Sequence, residues 1–274
     1  MALIDIRDVC VSYGSPPRPV LEGIELRIEE GEFVCVLGQT GCGKSTLLRL
    51  ILGSEKPTRG EVLVDGRVHE QPDRSRGYVP QKYSLFPDKT VLDNITFGPE
   101  VGEFNLLGRL TPGFYRRRRE FRGEALEYLR RIGLQECDAR KYPDQLSGGM
   151  QQRVAIAQAL MTRPRILLMD EAFSALDPAT RRGMQGLIRE LWRSTGATIL
   201  FVTHNTQEAL SLGTRVIVLA KESAAAASRI ALDMEVPGCE EDEVPGLVRL
   251  LERVCTGASG AYAGLEARVT GETR

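Results

Sequence analysis

No stretch of this sequence reaches the roughly 18 consecutive apolar residues that a membrane-crossing helix requires. Its first residues, Met1-Ala2-Leu3-Ile4-Asp5-Ile6-Arg7-Asp8, meet acids before the apolar centre of a secretion signal could form. A soluble chain without a leader is therefore expected. Neither sign of charge dominates: 36 Lys and Arg stand against 37 Asp and Glu, so that 36 − 37 = −1. Broad, sequence-independent nucleic-acid binding needs a basic footprint, so that class is disfavoured. Cysteine is scarce and unpatterned. Cys10, Cys35, Cys42, Cys137, Cys239 and Cys255 show no C-x-x-C spacing, which suits a reducing cytosol better than a disulfide frame or a zinc site.

What is present begins with length. At 274 residues the chain can bury a sizeable core, as one large domain or two small ones. Its organising stretch is Gly38-Gln39-Thr40-Gly41-Cys42-Gly43-Lys44-Ser45-Thr46, which fits G-x-x-x-x-G-K-[ST] at every fixed position. The apolar run Glu32-Phe33-Val34-Cys35-Val36-Leu37 before it reads as a buried strand, and Leu47, Leu48, Leu50 and Ile51 follow at helical spacing. In that context the glycines let backbone N–H groups and a helix N-terminus converge on phosphate oxygens, which Lys44 reaches as a point charge. Ser45 would place its hydroxyl on Mg²⁺. Cys42, beside Lys44 at a helix N-terminus, admits two readings: a thiol of lowered pKa that nucleotide protects from alkylation, or a small inert filler.

Alternation marks strands at Leu3 to Val11 and Val20 to Ile28, with a turn at Gly14-Ser15-Pro16-Pro17 and Tyr13 exposed just before it. Gly53 is a plausible helix stop, and Asp65-Gly66 signals a hairpin within Gly60 to Val68. Gly77-Tyr78-Val79-Pro80-Gln81 is a short strand ending in an amide. From Val91 to about Pro164 the period turns helical, and this reads as an insert in an α/β body. Its middle, Gly98 to Gly123, contains Arg116-Arg117-Arg118-Arg119. That run fits a solvated helix face or loop better than a contact with anionic lipid. Ile166-Leu167-Leu168-Met169 is a buried parallel-type strand closed by Asp170-Glu171. Asp177-Pro178 starts a helix that buries Met184, Leu187, Ile188, Leu191 and Trp192 and stops at Gly196. Thr198 to Thr203 and Arg215 to Ala220 complete the strands, and their alternation with helices implies a largely parallel sheet. Beyond Pro237 the pattern weakens: Glu240-Glu241-Asp242-Glu243 is acidic, Leu247 to Val254 fits one helix, and Thr256 to Arg274 reads as a poorly ordered tail.

A phosphate loop alone does not separate kinases, GTPases and transport ATPases. Leu146-Ser147-Gly148-Gly149-Met150-Gln151-Gln152-Arg153, opening a helix with Val154, Ala157 and Met161, does. Here the sequence resembles the ATP-binding cassette family, whose L-S-G-G-Q signature it matches except at Met150. Tyr13, Gln81, Asp170-Glu171, Ser174-Ala175-Leu176-Asp177 and Thr203-His204 arrive in the family's order. Asn205 stands where an acid is frequent, and Gln158 where arginine is. The resemblance runs from about Leu3 to Pro237. It implies an α/β P-loop NTPase (RecA-like) core with a mainly parallel sheet, an antiparallel β subdomain and a helical subdomain over about 91–164. Residues 1–237 would form the nucleotide-binding domain and 238–274 a partly disordered C-terminal extension.

The resemblance also implies ATP hydrolysis with Mg²⁺. Asp170, at a strand end, would hold the metal, as hard cations take oxygen ligands. Glu171 would be the general base for water, Gln81 would complete the metal or water shell, and His204 would bond the γ-phosphate. Tyr13 would stack on adenine. Ser147, Gly148 and Gly149 open a helix suited to an anion; in the family they close over ATP held by a second copy, giving a head-to-tail dimer with Asp177 at the seam. Asp170 to Asp177 and Gln81 to Pro87 look like the importer group for nitrate, sulfonate and taurine. Such a chain sits peripherally on the cytoplasmic membrane face, bound to separate permease subunits and served indirectly by a solute-binding protein. Chromosome-maintenance ATPases separate loop and signature by long coiled coils, whereas about a hundred residues intervene here without heptads. Ribosome-acting relatives carry two cassettes, and this chain has one.

Overall fold

The computed structural model describes residues 2–68, 71–82, 85–105, 108, 111–223, 226–236 and 244–255. The chain forms two compact units, Met1–Pro72 with Thr198–Arg274 and, between them in sequence, Asp73–Ala197. The first unit opens with β1 (Ile4–Tyr13), β2 (Arg18–Ile28), β3 (Phe33–Gly38), α1 (Lys44–Leu52), β4 (Arg59–Val64) and β5 (Arg67–Val68). The second holds β6 (Arg76–Val79), α2 (Val91–Glu103), α3 (Pro112–Arg131), α4 (Gly148–Met161), β7 (Ile166–Asp170) and α5 (Pro178–Thr195). The chain then returns to the first with β8 (Thr198–Thr203), α6 (Thr206–Leu212), β9 (Arg215–Lys221), β10 (Ser228–Glu235) and α7 (Val244–Cys255).

In the first unit the strand order is β5-β4-β1-β2-β10-β9-β3-β8. β3 lies between β8 and β9, parallel to both, and all six of its residues are buried. A strand covered on both faces needs apolar residues at every position, which is why Phe33 to Leu37 does not alternate. β1 pairs antiparallel with β2 and β4; β1 and β2 alternate, whereas β4 buries Val62, Leu63 and Val64 in succession. In β2 the buried set Leu21, Ile24, Leu26, Ile28 skips a beat at Gly23, whose φ of 58° belongs to an irregularity in the β1 pairing. Asp65 and Gly66 have φ of 53° and 70°, so the β4–β5 connection is the primed turn that an Asp-Gly pair favours.

In the second unit β6 and β7 run parallel, with Val79 opposite Met169. Helices α2, α3 and α4 pack on one another, and α3 buries Phe114, Phe121, Ala125 and Leu129 along one stripe. The arginine run lies on α3. Arg117 pairs with Glu103 at 2.9 Å and Glu120 at 2.7 Å, and Arg118 with Glu100 at 3.1 Å and Asp93 at 3.3 Å. Half of the run is thus matched by acids of its own unit, which removes support from the lipid reading. α5 buries Met184, Leu187, Ile188 and Leu191 as expected, but Trp192 is only partly buried and does not join that core. The expected C-terminal helix is present as α7. Pro237, Cys239, the acidic stretch at 240–243 and the tail at 256–274 lie outside the described residues, as do Tyr83 and Ser84. No described helix is long and apolar enough to cross a membrane.

Candidate functional site

The phosphate-type loop sits at the end of β3, and its shape depends on missing side chains. A Cβ on Gly38 would lie 2.5 Å from the Leu219 carbonyl oxygen and 2.6 Å from Cys42 Sγ. Gly43, with φ of 93°, caps α1, and a Cβ there would meet Leu21 Cδ2 at 2.7 Å. The loop is therefore clamped from below by β9 and β2, while Gln39, Thr40 and Gly41 stay exposed at the N-terminus of α1. Lys44 is 5% exposed, and its Nζ donates to the Gly38 carbonyl at 2.8 Å and the Gln39 carbonyl at 3.0 Å. An ammonium fixed to the loop, exposed backbone and a helix N-terminus together fit a phosphate chain. Ser45 is half-buried in the first turn of α1.

At Cys42 the structure decides between the two readings. Its side chain is 3% exposed, and burial, outweighing the nearby Lys44, pushes its thiol up rather than down. It is a filler under the loop, not an activated thiol.

Tyr13 is 41% exposed. Its hydroxyl is tied to the Glu55 carboxylate and lies 3.4 Å from Thr46 Oγ1. Burial, then Glu55, raise its pKa. Thr46 belongs to the loop motif, but Glu55 lies just past the end of α1, where no motif singles it out.

His204 follows β8 and is exposed, which excludes a satisfied core histidine. It lines a cavity of about 720 Å³ together with Gly38, Gln39 and Thr40. The turn behind it is built by two bonds: Thr203 Oγ1 donates to Glu208 Oε2 at 2.6 Å, and the Asn205 N–H donates to Thr203 Oγ1 at 3.0 Å. Asn205 caps α6 by accepting from the Glu208 N–H at 3.1 Å. The departure from an acid at this position is thereby accounted for, since Asn caps as well as Asp.

In the second unit, the register of β6 against β7 brings the ends of both strands to one level. Gln81 Nε2 donates to Glu171 Oε2 at 3.1 Å, and Asp170, 4% exposed, ends β7 with Tyr78 OH 3.5 Å away. Glu171 has φ of 46°, a left-handed conformation that an L-residue adopts at a cost. Its carbonyl accepts from the Ser174 N–H at 3.0 Å, starting the turn toward Asp177.

Ser147 caps α4 by accepting from the Met150 N–H at 3.3 Å. That bond uses only the backbone of Met150, so the substituted side chain leaves the cap intact. A Cβ on Gly149 would lie 3.4 Å from the Ala175 carbonyl oxygen, so the helix start packs against the 174–177 turn. Gln151 and Arg153 hold the rest. Gln151 Nε2 donates to the Pro143 carbonyl at 2.8 Å, and Arg153 Nη1 to the carbonyls of Ile132 at 2.9 Å and Gly133 at 3.0 Å. Asp177 caps α5, accepting from the N–H groups of Ala179 and Thr180, both at 3.1 Å, and the Thr180 bonds hold its carboxyl below the usual range. The structure thus shows Asp177 in an intrachain role; the expected seam contact is a separate matter.

Asn94 escaped sequence reasoning altogether. It is fully buried; its Nδ2 donates to the carbonyls of Phe86, Lys89 and Thr90 at 3.0–3.1 Å, and its Oδ1 accepts from the Phe86 N–H at 2.8 Å. It pins the segment that leads from Gln81 into α2. Of the expected site residues, Tyr13, the loop 38–46 and His204 belong to the first unit, and Gln81, Ser147, Gly148, Gly149, Asp170, Glu171 and Asp177 to the second. Among the described residues no three His, Cys, Asp or Glu side chains converge on a metal. Mg²⁺ would have to be shared between protein oxygens and phosphate, as that cation commonly is.

Comparison with known proteins agrees with this chemistry. The family model described as ABC transporter matches residues 21–174. The taurine import ATP-binding protein TauB of Rhizobium johnstonii is 46% identical over 213 residues, 78% of this chain and 76% of that one. The nitrate import ATP-binding protein NrtD of Synechococcus elongatus is 39% identical over 81% of this chain and 76% of its own. Among solved structures, the dimeric post-hydrolysis state of the ATP-binding cassette MJ0796, bound to ADP and Pi, superposes with a TM-score of 0.74 at 33% identity, covering 86% of this chain and all of that one. With its phosphate loop, capped signature helix and Asp-Glu strand end in the expected order, the chain belongs to the ATP-binding cassette transporter family, as one of its ATPases.

Proposed function

We propose that this chain is the energy-coupling subunit of an importer for a small solute, hydrolysing Mg-ATP to drive a separate permease. The observation that carries this reading is the cavity shared by the phosphate loop and His204. Gln39, Thr40 and His204 line that cavity, with His204 orienting the terminal phosphate; along the same loop Lys44 neutralises phosphate and the backbone to Gly43 presents donors, while Tyr13 offers its exposed ring to the base. Ser45 of the first unit and Asp170 and Gln81 of the second are the side chains that would hold Mg²⁺, which would supply charge neutralisation on the phosphates. Glu171 accepts the proton of the attacking water, with Gln81 fixing its carboxylate. Positioning and charge account for most of phosphoryl transfer, so closure of a partner can gate it. Ser147, Gly148, Gly149 and Asp177 act on the nucleotide of a second copy in a head-to-tail dimer, a state supported by the dimeric cassette quoted above. The location is the cytoplasmic face of the membrane, and nucleic acid is not a partner.

The solute belongs to the nitrate, sulfonate and taurine class or to urea- or guanidine-like nitrogen compounds. TauB and NrtD, with similar identities and different solutes, support the class without choosing within it. The test is Glu171→Gln in the full chain. With Mg-ATP it should elute as a dimer and release phosphate at least about a hundredfold more slowly than wild type. A variant that hydrolyses normally, or stays monomeric with Mg-ATP, would overturn the composite site.

A further inference from the structure

The cavity at the phosphate loop has a wall that the proposed reaction does not use. Besides Gly38, Gln39, Thr40 and His204, it is lined by Glu252 and Cys255 of α7. This helix belongs to the C-terminal extension, yet it is seated firmly. Leu251 and Val254 are 0% and 2% exposed, and α7 packs on α6 and on β9, the strand whose Leu219 carbonyl clamps Gly38. Seating leaves Glu252 exposed on the cavity side. The Cys255 thiol is pushed up to about 11, chiefly by burial, so it stays uncharged. Glu252 is the one acidic side chain among the lining residues described.

A carboxylate beside a cradle for phosphates opposes the attraction of Lys44 and the α1 N-terminus, and the opposition grows with the charge of the ligand. Mg-ATP carries one negative charge more than Mg-ADP. We propose that α7 is a built-in brake on the nucleotide site: while it is seated, Glu252 disfavours the triphosphate relative to the diphosphate, and moving the helix away releases that bias. The inference rests on the reading of this loop as the ATP site. It gives the extension a regulatory task that can be tested apart from hydrolysis.

The test compares full-length wild type, Glu252→Gln and Leu251→Asp by calorimetric titration with Mg-bound non-hydrolysable ATP analogue and with Mg-ADP, at low and high salt. Glu252→Gln keeps shape and removes charge from an exposed position, so it does not threaten folding. At low salt it should bind the triphosphate analogue about threefold more tightly, with a smaller gain for Mg-ADP, and the difference should close at high salt. Leu251→Asp, which unseats α7, should show the same preference for the triphosphate. Wild-type affinities in Glu252→Gln at low salt, or equal gains for both nucleotides, would overturn the brake while leaving the ATP site standing. A wild-type chain that binds neither nucleotide would overturn both.

Discussion

Glu171, like Asp8, Asp65 and Arg163, has the left-handed backbone that is costly for a residue with a side chain, and at Glu171 that cost can be measured beside the loss of the proposed base. At φ of 46° an L-residue sits roughly 1–2 kcal/mol above a relaxed conformation. Glycine escapes that cost but gives back about half through the greater freedom of its unfolded chain. Glu171→Gly should therefore be more stable than Glu171→Ala by about 0.5–1 kcal/mol, which in a domain of this size is a rise in melting temperature of roughly 2 °C. Both variants lose the proposed base and should hydrolyse ATP about 10²–10⁴-fold more slowly. Glu171→Gln retains both the strain and, through its amide oxygen, the bond from Gln81, so it should melt like wild type while being as inactive. Thermal and urea unfolding of the three variants beside phosphate-release assays would decide. An alanine variant as stable as the glycine one refutes the strain argument, and an active alanine variant refutes the base.

Three further outcomes are expected. Asn94→Ala strands several buried backbone groups and should lower stability by about 3 kcal/mol, visible as a lower urea midpoint. Asp93, half-buried, is pulled upward by burial but more strongly downward by Thr90, Arg122 and Arg118 together, leaving its carboxyl below the usual range. A depressed carboxylate stabilises above its unfolded pKa of about 3.9 and loses that contribution as pH falls through the folded value. Asp93→Asn should accordingly cost about 1 kcal/mol at neutral pH after allowance for solvent screening, with the gap closing as pH falls below the unfolded pKa and through the lower folded one. Finally, maleimide should label exposed Cys137 well before buried Cys42, whose thiol is pushed up by burial; peptide mass spectrometry reads the order.

Local patterns carried most of the fold. The buried run of β3, the Asp-Gly turn, the Gly53 stop and the Asp177-Pro178 start all follow from steric and hydrogen-bonding rules acting over a few residues, and the structure has them there. Two positions were undecided or misread for one cause. The activated reading of Cys42 weighed its chain neighbour Lys44, while burial beneath the loop, set by distant strands, outweighs that charge and leaves the filler reading standing. Trp192 fits the α5 stripe by spacing, yet spacing does not say where the stripe's edge meets solvent. Asn94 and Glu55, and the holding role of Arg153, were invisible because each acts on backbone or hydroxyl partners that no periodicity reports. The motif residues were legible since phosphate chemistry demands particular side chains in a particular order. The α7 wall of the cavity was not, because a short amphipathic helix advertises a buried face but not what its other face looks upon.

The clamp on Gly38 also sets a timetable. Its partner, Leu219, is 219 − 38 = 181 residues further along, and both strands flanking β3 come from the final third of the chain. During synthesis on the ribosome, the loop emerges early but lacks the scaffold that shapes it until β9 has left the exit tunnel. A polypeptide that stops short of β9 is therefore expected to bind ATP poorly, because the clamp over Gly38 is missing from it.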